Sequence, residues 1–178
     1  MIQLINNPAY RATFVNDDGT VDRPSFVSEV MAMRRRTSGF VDHAGRLQWP
    51  WLPALGTGPW AVARAMSGST GAGRGDTLYR VLAFDPIHPA EALQCVEAAV
   101  GRGDVVPLFV GTRAMARHIV AVTGLTGACL EYYDPADGEW HTVAGQDLVT
   151  GRAVIAGWRE PWFAVVPAAS RRKPSRSN

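Results

Sequence analysis

The sequence predicts an α+β fold in which N-terminal helices pack on a C-terminal antiparallel β-sheet. Three observations lead there. Helix-type apolar spacing and helix-stop residues occur before about residue 103. Short strand-like runs divided by turn residues fill about 104–167. The chain also lacks the regular strand–helix alternation that a parallel sheet requires. One domain is expected over 1–167, with a helical part at about 22–103, a sheet part at about 104–167, and a basic, disordered tail at 168–178. With 178 residues, 47% of them hydrophobic, the chain can bury one core.

The elements follow in order. Asn16-Asp17-Asp18-Gly19 marks a turn. Pro24 opens a helix to Arg36, with an apolar stripe of Phe26, Val27, Val30, Met31 and Met33, and Ser38-Gly39 ends it. Leu47 to Pro59, rich in Trp, Pro and Gly, suits neither a regular helix nor a central strand. Pro59 fits the first position of a second helix, to about Met66, with Thr57 read as its N-cap. Residues 67–76 form a Gly/Ser-rich loop without the Lys-Ser/Thr ending of a phosphate loop. A strand is expected at 78–84, then a helix opened by Asp85-Pro86-Ile87-His88-Pro89 and running to about Val100, stopped by Gly101 and Gly103. Strands follow at Val105–Val110, His118–Thr123, Cys129–Tyr133, Glu139–Val143 and Trp162–Val166. Asp134-Pro135-Ala136-Asp137-Gly138 is the strong turn among them.

Composition narrows the function classes. The net charge is +2, and the last nine residues hold Arg171, Arg172, Lys173 and Arg176. Without those four cations the rest of the chain is acidic, so its folded part has no global charge suited to nucleic acid. Two cysteines, Cys95 and Cys129, are too few for a disulfide framework, and both read as buried thiols. Met1 to Pro8 lacks the basic start and apolar core of a cleaved signal peptide, and no run reaches the length of a membrane span. A soluble protein made in the cytoplasm is expected, with export that needs no cleaved signal left open. No cofactor is implied, and no His, Cys or carboxylate spacing supports a zinc site.

Chemistry concentrates on two strands. His118 opens one and Asp134 closes the next. An antiparallel hairpin turning through Gly124 to Gly127 puts the start of the first beside the end of the second, so that His118 and Asp134 become neighbours. An imidazole oriented by a carboxylate is the base half of a nucleophilic hydrolase.

The segments GDVVPLFVG, RHIVAVTGLTG and LEYYDPADGEW resemble the second half of bacterial papain-like cysteine peptidases, namely bacteriocin-leader peptidases and effector proteases of plant-pathogenic bacteria. The resemblance covers roughly residues 46–166. It implies a papain-like fold with His118 as base, Asp134 as its orienter, and Gln48 as donor to the oxyanion. Those families carry Cys at the start of the first core helix. Here the matching positions are Pro59, if aligned on Trp60-Ala61, or Thr57, if aligned on Gly58-Pro59. Ala54, six residues after Gln48, is a third candidate. None is a thiol. A threonine hydroxyl needs a strong adjacent base, as N-terminal threonine enzymes have in their own amine, and an internal threonine paired with histidine is a poor substitute.

Three functions are compatible with this pattern. The first is a pseudoenzyme that binds a peptide or protein, as an inactive effector domain or a partner occupying a substrate's site. The second is an active cysteine protease or peptidoglycan amidase effector captured with Ala, at Ala54 or Ala61, in place of Cys. The third is a non-catalytic interaction protein in which His118 and Asp134 lie far apart. Structural readings stand beside these. His118 can be a half-buried edge residue, Asp134 a turn starter, His141 a surface residue, His43 a loop residue and His88 a helix cap. Trp49, Trp51, Trp60, Trp158 and Trp162 can pack the core.

Overall fold

The computed structural model describes residues 57–68 and 77–168, together with residues 22, 24, 25, 28, 31 and 32. Pro24, Ser25, Ser28, Met31 and Ala32 are helical, within the first predicted helix. The remainder of that helix, the Trp/Pro/Gly-rich stretch before 57, the loop at 69–76 and the tail from 169 lie outside the described residues.

Helix α1 spans Pro59–Gly68, and strand β1, Tyr79–Ala83, follows. Helix α2 is Pro89–Val100. Strands β2 (Val106–Gly111), β3 (Ala116–Thr126), β4 (Cys129–Asp134) and β5 (Glu139–Ala144) come next. A short helix α3, Gly145–Val149, and strand β6, Glu160–Pro167, complete the order. The six strands form one sheet in the order β1-β6-β2-β3-β4-β5, with every neighbouring pair antiparallel. The fold is therefore α+β. One expectation needs amending: β1 precedes α2 in the chain, yet pairs with the last strand, so the helical and sheet parts interleave.

The core sits on both faces of the sheet. In α2, Ala92, Leu93, Val96, Ala99 and Val100 are buried at helical spacing. They pack with Leu108, Val110, Val120, Val122, Leu130 and Tyr132. Leu148 of α3, together with Ala153 and Ile155, joins the same face. On the opposite face, Ala63 and Met66 of α1 meet Phe109, Ala116 and Val165, with Ile119 and Phe163 alongside. Strand residues alternate between the faces, so each strand has an α1 side and an α2 side.

Local signals explain the boundaries, and several differ from expectation. In α1 the Gly58 carbonyl accepts from the N–H groups of Ala61 and Val62, both at 3.1 Å. Gly58 is thus the N-cap and Pro59 the first helical residue; Thr57 stands one place before the cap. Helix α2 starts at Pro89, the end of the expected Asp85–Pro89 opening, because the Asp85 carboxylate accepts from the Ile87 N–H at 2.8 Å and holds a turn before it. The β3–β4 hairpin turns at Gly127-Ala128, not at 124–127. Gly127 has φ +62°, and Gly124 lies within the strand. Helix α3 was not predicted; nor was the tight turn in which Ile155 and Trp158 exchange two 2.8 Å hydrogen bonds.

Two irregularities in β3 steer its side chains. Val110 pairs with His118, but Gly111 pairs with Ala116, so Arg117 is an extra residue. A Cβ on Gly111 would lie 2.1 Å from the Met115 carbonyl oxygen, so only glycine permits this approach. A second extra residue, Thr123, falls between the Val122–Tyr132 and Gly124–Glu131 pairs. Between the two bulges His118, Val120 and Val122 share the α2 side.

Candidate functional site

The register of β3 and β4 pairs Ala121 with Tyr133. One step further, Asp134 stands across from Val120, two residues from His118 on the same face. This diagonal is within reach of long side chains. His118 Nε2 and Asp134 Oδ1 are 2.6 Å apart. Asp134 is only 4% exposed, while the imidazole remains partly open to solvent.

The turn after β4 fixes the acid. Asp134 Oδ1 also accepts from the Ala136 N–H at 2.9 Å, and the Asp134 carbonyl accepts from the Gly138 N–H at 2.9 Å. Gly138 has φ +81°, which glycine adopts without steric cost. Because Oδ1 already accepts a backbone hydrogen bond, Nε2 is the natural carrier of the proton in the His118–Asp134 bond. Nδ1 then bears the lone pair, and among the described residues it has no hydrogen-bond partner. Such a pair can take a proton at Nδ1 from an incoming group, or hold a bound carbonyl or carboxylate once protonated.

A second imidazole–carboxylate contact joins the same turn to β5. His141 Nε2 and Asp137 Oδ2 are 2.8 Å apart, and the His141 ring stacks on Tyr132 with centroids 5.3 Å apart. Asp137 is held below the usual carboxylate range, first by the Glu139 N–H and then by His141. Burial pushes the Tyr132 phenol above its ordinary value. The Ala156 backbone opposes that rise, while Asp134 and Asp137 add to it. Donor atoms of Asp134, Asp137 and His141 all lie within 4.8 Å of one another. The sequence offered no metal spacing, because the residues converge only when the hairpin closes. An open groove of about 710 Å³ adjoins His141, lined also by Tyr132, Trp140 and Thr142.

The remaining predicted site residues are placed differently. Thr57 and Pro59 stand at the start of α1, the helix of the opposite face, as does Ala61 within it. The structure therefore brings His118 and Asp134 together, and sets the start of α1 across the sheet from them. Gln48 and Ala54 lie outside the described residues, as do His43, Trp49 and Trp51. Both cysteines are half-buried rather than buried, and neither is bonded to His118. Cys129 begins β4, at the end of the sheet away from Asp134. Position 88 is the N-cap of α2, but its side chain makes no capping bond and instead lies 3.7 Å from Asp85. Of the tryptophans expected in the core, Trp158 and Trp162 pack against it, whereas Trp60 is 54% exposed. Among the described residues no helix is long and apolar enough to cross a membrane.

Comparison of the chain with protein-family models, with curated proteins and with solved structures found no match.

Proposed function

We propose that this chain is a papain-like peptidase relative that keeps the base and its orienting acid but has no thiol beside them, and that it binds a peptide or protein segment without cleaving it. One observation carries the reading: the 2.6 Å contact between His118 Nε2 and a buried Asp134. That contact counts against the reading in which the two residues are incidental, which requires them to be far apart. The cysteine inventory supports loss of turnover, since the chain has only Cys95 and Cys129 and neither is bonded to His118. The hydroxyl of Thr57 offers no replacement, since Thr57 stands at the start of α1, the helix packed on the opposite face of the sheet.

The spacing of Gln48 and Ala54 favours a second reading, an active cysteine protease or peptidoglycan amidase with alanine in the place of its nucleophile. One experiment separates the two. The full chain, its His118→Ala variant and an Ala54→Cys variant are incubated with fluorescent casein, with peptidoglycan, and with a thiol-directed epoxide probe. The binding reading expects no turnover by the unmodified chain. Turnover that disappears in His118→Ala overturns it. Epoxide labelling of Ala54→Cys, or of an Ala61→Cys variant treated alongside it, that is lost when His118→Ala is added establishes the second reading; absence of labelling at both sites removes it.

A further inference from the structure

We propose that Asp134, Asp137 and His141 form a divalent transition-metal site, best suited to Zn²⁺, at the turn between β4 and β5. The donor set is mixed, two carboxylates and one imidazole, which suits zinc better than the all-oxygen shells of calcium or magnesium. Tetrahedral ligation at 2.0–2.2 Å places donor atoms about 3.4 Å apart. The three donors here already lie within 4.8 Å, so modest side-chain rotations close the shell.

Each donor has an atom to give. Asp134 Oδ1 serves His118 and the Ala136 N–H, while Oδ2 makes no hydrogen bond among the described residues. The bond from His118 would then orient a ligating carboxylate from behind, as outer-shell partners of metal ligands commonly do. Asp137 Oδ1 accepts from the Glu139 N–H at 2.9 Å, which leaves Oδ2 to turn from His141 to the ion. His141 offers its Nε2 lone pair once its proton resides on Nδ1, and the stack on Tyr132 limits the ring's freedom.

The groove beside His141 is the independent feature. Three protein ligands leave one position of a tetrahedral zinc for water or an oxygen of a bound molecule. The groove, lined by Tyr132, Trp140, His141 and Thr142 but by neither Asp134 nor Asp137, meets the site at His141 and offers space beside that ligand.

The test uses the untagged full chain, stripped with chelator and titrated with Co²⁺ as a spectroscopic probe, then with Zn²⁺ in competition. The expected result is one equivalent bound, with visible bands of low-symmetry, four-coordinate Co²⁺ that Zn²⁺ displaces. His141→Ala and Asp137→Asn should each weaken binding at least tenfold. His88→Ala, which removes the exposed imidazole near Asp85, should leave it unchanged. Asp137 lies on the exposed turn and His141 is half-buried in β5, and circular dichroism confirms that both variants fold. Absence of binding at millimolar metal overturns the proposal, and so does binding that His141→Ala leaves intact. Neither variant touches His118, so failure here is distinct from failure of the functional reading.

Discussion

Replacing Asp134 with alanine tests the core of the site most directly. The substitution removes a buried carboxylate that accepts from His118 Nε2 at 2.6 Å and from the Ala136 N–H at 2.9 Å. A hydrogen bond to a charged group contributes about 1.5–3 kcal/mol, and a neutral one about 0.5–1.5 kcal/mol. Ala136 is exposed, so its N–H regains water and loses little; the imidazole is mostly covered and loses more. The expected destabilisation is about 2–4 kcal/mol, by summing those two ranges and discounting the exposed one. Asp134→Asn keeps the shape and the turn bond, and should cost about half as much by the same reasoning. Urea unfolding followed by tryptophan fluorescence measures both. With a slope of about 2 kcal/mol per molar, the midpoint of Asp134→Ala falls by about 1–2 M at unchanged slope. A midpoint within experimental error of the unmodified chain would refute the argument, because a buried acid that holds nothing cannot orient His118.

Two further predictions concern the surrounding frame. Gly111→Ala should destabilise by about 2 kcal/mol or more, since the new Cβ meets backbone at 2.1 Å and overpacking of this kind costs about 1–3 kcal/mol. Gly124→Ala, whose Cβ meets only the Glu131 carboxylate at 3.0 Å, should cost less in the same urea titration. Tyr132 governs alkaline behaviour. Its folded-state value is raised above 10.0, chiefly by burial, so as pH rises past that point the unfolded chain releases the phenol proton first and stability falls. Tyr132→Phe should remove that part of the alkaline loss; an identical slope between pH 9 and 11.5 in thermal melts of both proteins would show that the phenol is not confined.

Much of the architecture is legible in the sequence because local chemistry and burial agree. The spacing of Ala92, Leu93, Val96 and Val100 marks α2, and the turn at Asp134-Pro135 marks the end of β4. The meeting of His118 with Asp134 follows from strand pairing alone, and it holds with the turn at Gly127-Ala128 as it would with one at 124–127. The bulge at Thr123 and the longer β3 changed the hairpin without separating the two ends. Part of what stayed hidden depends on contacts distant along the chain, and part on short segments whose role appears only when a turn closes. That β1 pairs with β6 has no signal in either segment. The facing of α1 is set by Ala63 and Met66 finding Phe109 and Val165, which no local pattern encodes. Asp137 and His141 read as turn and surface residues until hairpin closure brings them to Asp134. Helix α3 has only five residues, too few for a periodic pattern.

The placement of His118 on one side of the sheet and α1 on the other has a practical meaning for anyone trying to build catalysis into this scaffold. A β-sheet is a wall one backbone thick, and side chains leave it in opposite directions. A cysteine installed at Thr57 or Pro59 would begin its life behind that wall, with the imidazole turned away. A nucleophile that meets the imidazole has to reach it from the α2 side, where the ring is only partly open to solvent, or be carried in by a bound molecule.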